Sequence, residues 1–313
     1  MSKMLNKLFR ALSNPRQALL YLLKLRISRL IPDKAYLKLK YRIIFGKKLN
    51  LNNPQTFNEK LQWLKLYDRN PMYTMLTDKY EVRKYVAEVI GEEHLIPLLG
   101  VWERFEEIDF DKLPNEFVLK PTHTSGDIFI CKDKSKVDLT ELRKIVNKWL
   151  KREYYWFHRE WPYKNIKPRI IAEKYMVDES GIELKDYKFM CFNGKPKILF
   201  VVSNRHLEGG LKMDFYDLDW NLLPFERHYK RSGKVMPKPR SFNKMIEIAE
   251  KLSQGIPFVR VDLYEVDGHP YFGELTFYPG AGFEEFTPEE WDYIIGSWLQ
   301  LPSRKSKNKN SYK

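Results

Sequence analysis

Two carboxylates and an arginine recur at strand spacing between Phe258 and Gly282, FVRVDLYEVDGHPYFGELTFYPGAG. Alternation places Val259, Val261 and Leu263 with Tyr271, Leu275 and Phe277 on one apolar face. Arg260, Asp262 and Tyr264, then Phe272, Glu274 and Thr276, point the other way. A three-residue connection, Asp267-Gly268-His269, with a positive φ at Gly268, sets Asp262 opposite Glu274 and Arg260 opposite Thr276. Carboxylates about 5 Å apart repel unless a cation lies between them. A hard divalent ion held by oxygens, with phosphates completing its shell, suits that position. The pattern reads as a magnesium–nucleotide site with Asp262, Glu274 and Thr276 as metal ligands. A solvated acidic pair on a sheet edge, with Arg260 as local counter-ion, is the bland alternative.

Other stretches carry groups for such a ligand. In FVLKPTHTSGDIFIC, Phe117 to Cys131, Lys120 ends a strand and could reach a phosphate. Thr122, His123, Thr124, Ser125 and Gly126 form a polar turn whose N–H groups and hydroxyls could cover one. The order is not that of a P-loop, and an ordinary hairpin would also fit. An apolar strand runs into Glu173-Lys174-Tyr175, which could present backbone to an adenine edge or simply end a strand. Asp186 and Lys188 share a strand face and could address ribose and phosphate, or form a surface ion pair. Arg205-His206 could hold a transferred phosphoryl group or lie in a solvated loop. The aromatic run Tyr154 to Trp161 could stack on a sugar or pack beneath a loop. The histidines show no metal spacing, and no GxSxG or Cys/His nucleophile pattern is present.

The elements that must position these groups follow from pattern. Residues 34–93 read as helices, with a stop at Gly46, a capping box at Thr56 and Glu59, and another helix opened by Thr77-Asp78 and closed by Gly91. Residues 95–101 and 117–120 read as strands, and Asp138–Arg152 as a capped amphipathic helix. From Arg169 on, strands dominate, among them a hairpin turning at Asn193-Gly194. Helices follow at Pro239–Gly255 and Pro288–Leu301. This order predicts an α+β architecture with mainly antiparallel sheets.

At 313 residues the chain can bury a large core, and 15% aromatic content excludes a disordered protein. Cys131 and Cys191 sit in apolar runs without metal spacing, which predicts inert burial and a reducing, cytoplasmic setting. The net charge of +14 is uneven: residues 1–31 carry seven Lys/Arg and residues 302–313 carry five, with no acid in either. The remaining body has 43 basic and 41 acidic side chains, which argues against an extended nucleic-acid surface. The basic amphipathic start is too interrupted for a membrane span or signal peptide. Docking on the body with added contact to an anionic membrane is the expectation.

Taken in order, NEKLQWLK, FVLKPTHTSG, RIIAEKYM, DYKFMCFNGKP, VRVDLY and YFGELTFYPGAG resemble the TupA-like branch of the ATP-grasp superfamily, over roughly residues 50–300. The resemblance implies an ATP-grasp-like α+β fold, two subdomains with mainly antiparallel sheets clamping a nucleotide, preceded by a helical N-terminal region. Its expected divisions are 1–31 basic segment, 32–93 helical region, 94–168 small subdomain, 169–301 large subdomain and 302–313 disordered tail. It implies ATP and Mg2+ as cofactors and a carboxylate–amine ligase acting through an acyl phosphate. Lys120 and Lys188 would hold phosphate oxygens, the 122–126 turn would close over them, Glu173 would mark the adenine hinge and Asp186 the ribose contact. Arg260 would stabilise the phosphoryl in transfer, with Lys188 and Arg205, and the Tyr278–Gly282 loop would line the acceptor site. Many such ligases carry Asn two residues after the metal-binding Glu, where this chain has Thr276.

The branch is associated with bacterial surface-polysaccharide and teichuronopeptide assembly. That implies a uronic acid or other carboxylate glycan and an amine as partners, no nucleic acid, and a place near the inner leaflet for the basic ends. The rivals are a sugar kinase, a glycosyltransferase using Asp217-Leu218-Asp219, and a non-enzymatic adaptor binding membrane or polymer through its ends.

Overall fold

The computed structural model describes residues 15–179, 181, 184–203 and 210–303. The helical region comprises α1 (Pro15–Leu22), α2 (Asp33–Phe45), α3 (Phe57–Tyr67), α4 (Met72–Thr77) and α5 (Val82–Ile90). Gly46 stops α2 in the left-handed region, and Thr56 and Glu59 form the expected capping box on α3. Asp78 ends α4, and its carboxylate accepts from the N–H of Tyr80 and Glu81 at the turn leading into α5.

Two antiparallel sheets follow. The first orders β1 (Leu98–Trp102), β4 (Ile170–Lys174), β2 (Phe117–Pro121) and β3 (Phe129–Cys131). Between β3 and β4 lie α6 (Leu139–Leu150) and α7 (Tyr155–His158). A core of its own includes Phe117, Leu119, Leu142, Val146 and Ile170. An expected division at residue 169 puts β4 in the large subdomain, but its pairing with both β1 and β2 makes it part of this sheet.

The second sheet is built from β5 (Asp186–Phe192), β6 (Lys195–Ser203), β7 (Lys212–Asp217), β9 (Phe258–Val266) and β10 (His269–Thr276), in the order β10-β9-β5-β6-β7. A small ribbon pairs β8 (Glu226–Arg227) with β11 (Phe286–Thr287). Helices α8 (Phe242–Ser253) and α9 (Glu290–Trp298) complete the order. Met245, Ile248 and Leu252 of α8 join Phe189 and Val261 in the main core, which also takes in Phe57, Leu61 and Leu64 of α3. The helical region is therefore welded to the large sheet by burial of apolar area.

Cys131 and Cys191 are free and buried as expected, and burial pushes the Cys191 thiol up to about 12. The run Tyr154 to Trp161 serves packing. Arg159, 1% exposed, lies 4.3 Å over the Tyr36 ring and 4.6 Å over Trp156, and donates to the Ser28 carbonyl. The Asp217 carboxylate accepts from the N–H of Asp219 and Asn221, so the Asp-Leu-Asp triplet caps its own turn.

Lys40 reaches inward to the Phe157 carbonyl and the His158 ring, and burial, with Lys65 nearby, lowers its ammonium from 10.5 to about 7. Between those values the unfolded chain holds more protons than the folded one, so stability should climb with pH above about 7. Urea midpoints of wild type and Lys40→Met between about pH 7 and 9.5 measure this, the Lys65 ammonium, also lowered to about 7, contributing in both proteins. The rise should flatten in the variant; identical slopes would contradict it.

Candidate active site

The two sheets face each other across a cavity of about 450 Å3. The late hairpin supplies its floor. The register sets Asp262 opposite Glu274 and Arg260 opposite Thr276. The chain reaches that pairing differently from the expectation. The turn is two residues, Asp267 and Gly268, both at positive φ, and a bulge at Gly273 restores the register beyond it. Ahead of the bulge the faces are exchanged: Phe272 pairs with buried Leu263, and Tyr271 with Tyr264. A hairpin read with uniform alternation misses this inversion.

The Arg260 guanidinium ties the acids together. Its Nε and Nη2 donate to the two Asp262 oxygens, each at 2.6 Å. Nη2 also donates to Glu274 Oε1 at 3.1 Å and Thr276 Oγ1 at 2.9 Å. From β5, the Lys188 ammonium lies 2.7 Å from Asp186 and also bonds Asp262. Asp262 is fully buried, and burial pushes its carboxyl up against the opposing pull of Arg260 and Lys188. Burial also acts to raise Glu274, but Lys79, Arg260 and Lys188 outweigh it and hold that carboxyl below its ordinary value. Glu274 keeps 31% of its side chain open to the cavity.

These donors fit a magnesium ion. Asp262 and Glu274 are hard oxygen ligands on neighbouring strands, Glu274 is ionised and open to the cavity, and a cation already draws them together. Asp262 and Glu274 would hold the metal. Thr276 does not line the cavity; its hydroxyl bonds Arg260 and Glu274.

The opposite wall comes from the first sheet. Lys120 enters the cavity and pairs with Glu173 at 2.8 Å. The Glu173 carboxylate, 7% exposed, is thus engaged by Lys120 and Arg83. Lys174 is exposed and Tyr175 lies under Lys132; neither lines the cavity. The 122–126 turn divides in two. Thr122, His123 and Thr124 are buried: Thr122 exchanges backbone bonds with Arg169 and Lys79, His123 pairs with the Trp149 carbonyl, and Thr124 donates to Asp127. Only Ser125 and Gly126 of the five reach the cavity, continued by Asp127 and Ile128. The three residues expected to bind phosphate instead anchor the two that can. Arg205 lies outside the described residues.

Two cations escaped the sequence reading. Lys79, in the turn ahead of α5, and Arg83, in its first turn, both line the cavity. The Lys79 amine donates to the Thr124 carbonyl, and burial lowers its pKa while Glu274 opposes that shift. In a sequence read as one amphipathic helix from Asp78, both look like cations of a solvated edge. Arg227 is a third: 1% exposed, it donates to the Pro279 carbonyl at 2.7 Å and pairs with Glu284.

A model described as TupA-like ATPgrasp matches residues 59–300. The chain belongs to the TupA-like ATP-grasp family. Its two antiparallel α+β units with the cavity between them are the ATP-grasp fold. D-alanine–D-alanine ligase from Bacillus anthracis, complexed with ATP, is similar at 17% identity and a TM-score of 0.41, over 66% of this chain and 57% of that one. Phosphoribosylamine–glycine ligase from Thermotoga maritima is similar at 13% identity and 0.37, over 66% and 48%. An ATP-grasp RimK-domain protein from Sphaerobacter thermophilus is similar at 10% identity and 0.41, over 74% and 70%. The family member thus spans little more than half of the D-alanine–D-alanine ligase it matches. No curated protein matches it significantly.

The bulge makes Gly273 a sensitive position. A Cβ there would lie 2.9 Å from the Tyr264 ring and 3.0 Å from the Asp262 carbonyl oxygen, a backbone atom that cannot swing away. Gly273→Ala should therefore cost about 1–3 kcal/mol in denaturant unfolding. A wild-type midpoint would show that the strands at the bulge are less closely packed than described.

Proposed function

We propose that this chain is an ATP-dependent carboxylate–amine ligase that forms an acyl phosphate. The observation that carries the reading is the pairing of Asp262 with Glu274 at the floor of a cavity that Lys79, Lys120 and Lys188 also line. A carboxylate acylates poorly because oxide is its leaving group. When its oxygen attacks the γ-phosphorus of ATP, a C(=O)O–P bond forms, the β–γ P–O bond breaks, and ADP leaves. The amine then attacks the carbonyl carbon, phosphate departs with its bridging oxygen, and the amine proton passes to solvent. Protein catalysis of the first step is mainly positioning and charge neutralisation.

The residues suit those tasks. Lys120, Lys79 and Arg83 are placed to take phosphate oxygens, and the N–H groups at Ser125 and Gly126 to cover them. The Glu173 carboxylate pairs with Lys120 and Arg83, so it would hold two phosphate ligands in position while its strand end marks the adenine hinge. Asp186 orients Lys188 at 2.7 Å, and Lys188 and Arg260 offer positive charge to the phosphoryl in transfer. Magnesium held by Asp262 and Glu274 would supply further charge neutralisation at the phosphates. The loop at Pro279–Gly280 lines the same cavity and would face the acceptor.

On family context we place the acceptor carboxylate on a uronic acid of a bacterial surface polysaccharide, including teichuronopeptide-type polymers, with an amino acid or simple amine as nucleophile. Subdomains bounded by Leu98–Lys174 and Asp186–Trp298 would close on the nucleotide from either side. An ADP-release screen with magnesium, crossing uronic and amino acids with amines, tests the reading. ADP formation should require both a carboxylate and an amine, and Glu274→Gln and Asp262→Asn should lower it on the order of a hundredfold or more. Release with a neutral sugar alone would identify a kinase instead.

A further inference from the structure

The first described stretch of the chain is built inside out. Residues 19–30 pack on the body through buried Leu23 and Ser28. Ser28 Oγ donates to the Leu23 carbonyl, the Tyr36 hydroxyl reaches the same carbonyl, and buried Arg159 donates to the Ser28 carbonyl. A serine and three polar bonds thus face inward. Leu23 is buried and Leu20 packs against the core, but most of the large apolar side chains face outward: Leu22 is 53% exposed, Ile27 72% and Leu30 82%, with Leu19, Tyr21 and Leu25 also exposed. A segment that only packed on the body would bury its leucines and expose its serine.

Charge says what covers this face. Arg16, Lys24 and Arg26 are exposed beside it, and no acidic residue occurs before Asp33. Glu153 of the body also lies against the stretch, paired with Arg29 at 2.6 Å, which still leaves an excess of cations around the apolar side chains. That combination matches an anionic lipid headgroup layer, with Leu and Ile reaching the acyl boundary. No helix among the described residues is long and apolar enough to cross a membrane, so contact would be from the surface. We infer that residues 19–30 are a docking surface for an anionic lipid bilayer. The clamp on Ser28 fixes this surface to the body that carries the cavity, so docking would hold the active site at a set distance from the lipid.

Sedimentation of the full chain with phosphatidylglycerol or phosphatidylcholine vesicles tests this independently of ligase activity. Partitioning should favour the anionic vesicles on the order of a hundredfold, three basic side chains acting near the surface. Leu22→Ser/Ile27→Ser/Leu30→Ser should lose most binding to either vesicle. Lys24→Glu/Arg26→Glu should lose the anionic preference, with thermal melting unchanged in both variants. Three results would overturn the inference. One is a chain that stays in the supernatant at all lipid concentrations. Another is binding that neither variant alters, which would assign it to the other basic end. The third is a wild-type dimer by light scattering that the serine variant dissociates, making a second copy the occupant.

Discussion

One guanidinium keeps two acids together inside a sheet. Without Arg260, the fully buried Asp262 and its neighbour Glu274 would face each other across paired strands with only Lys188 and Lys79 to offset their charge. Removing one partner from a buried charge pair typically costs 3–5 kcal/mol, because the remaining charge is stranded. The network therefore constrains the hairpin register, and the register in turn sets which groups reach the cavity. The arrangement is poised: Arg260 and Lys188 hold the oxygens that a metal would take, and phosphates would offer those cations new partners.

The helical region is part of the site as well as its support. Lys79, in the turn ahead of α5, and Arg83 of α5 line the cavity, and Lys79 pins the turn that carries Ser125 and Gly126. On the other side of the cavity, α3 grips the loop after β10. Lys65 donates to the Ala281 and His158 carbonyls, and Gln62 to Ala281 and Gly282. Gly282 is required there, since a Cβ would lie 2.5 Å from Gln62 Nε2 and 2.9 Å from Leu61 Cβ. The region that precedes the two sheets in sequence thus holds both the Ser125–Gly126 turn and the Pro279–Gly282 loop that border the cavity.

Much of this was legible in residue order. Alternation with an Asp-Gly turn located the hairpin, and Asn193-Gly194, Gly46 and the Thr56–Glu59 box marked element ends where the structure has them. The acids were paired correctly although the turn was misjudged by one residue, because the Gly273 bulge compensates. A bulge leaves no strong local signal beyond a glycine in a strand. Thr122, His123 and Thr124 read as ligands because a polar turn looks the same whether it faces phosphate or its own scaffold. Lys79 and Arg83 were missed because their placement depends on contacts with Thr124 and with Glu173, each more than forty residues later, which helical periodicity cannot express.

The central claim is that the paired acids hold magnesium for a bound nucleotide. Titration calorimetry of ATP into the full chain, with and without magnesium, addresses it most directly. One site should appear whose affinity depends on the metal, and Glu274→Gln should abolish that dependence while the fold survives. A well-folded wild-type chain that takes up no ATP, or takes it up equally well without magnesium, would contradict the account.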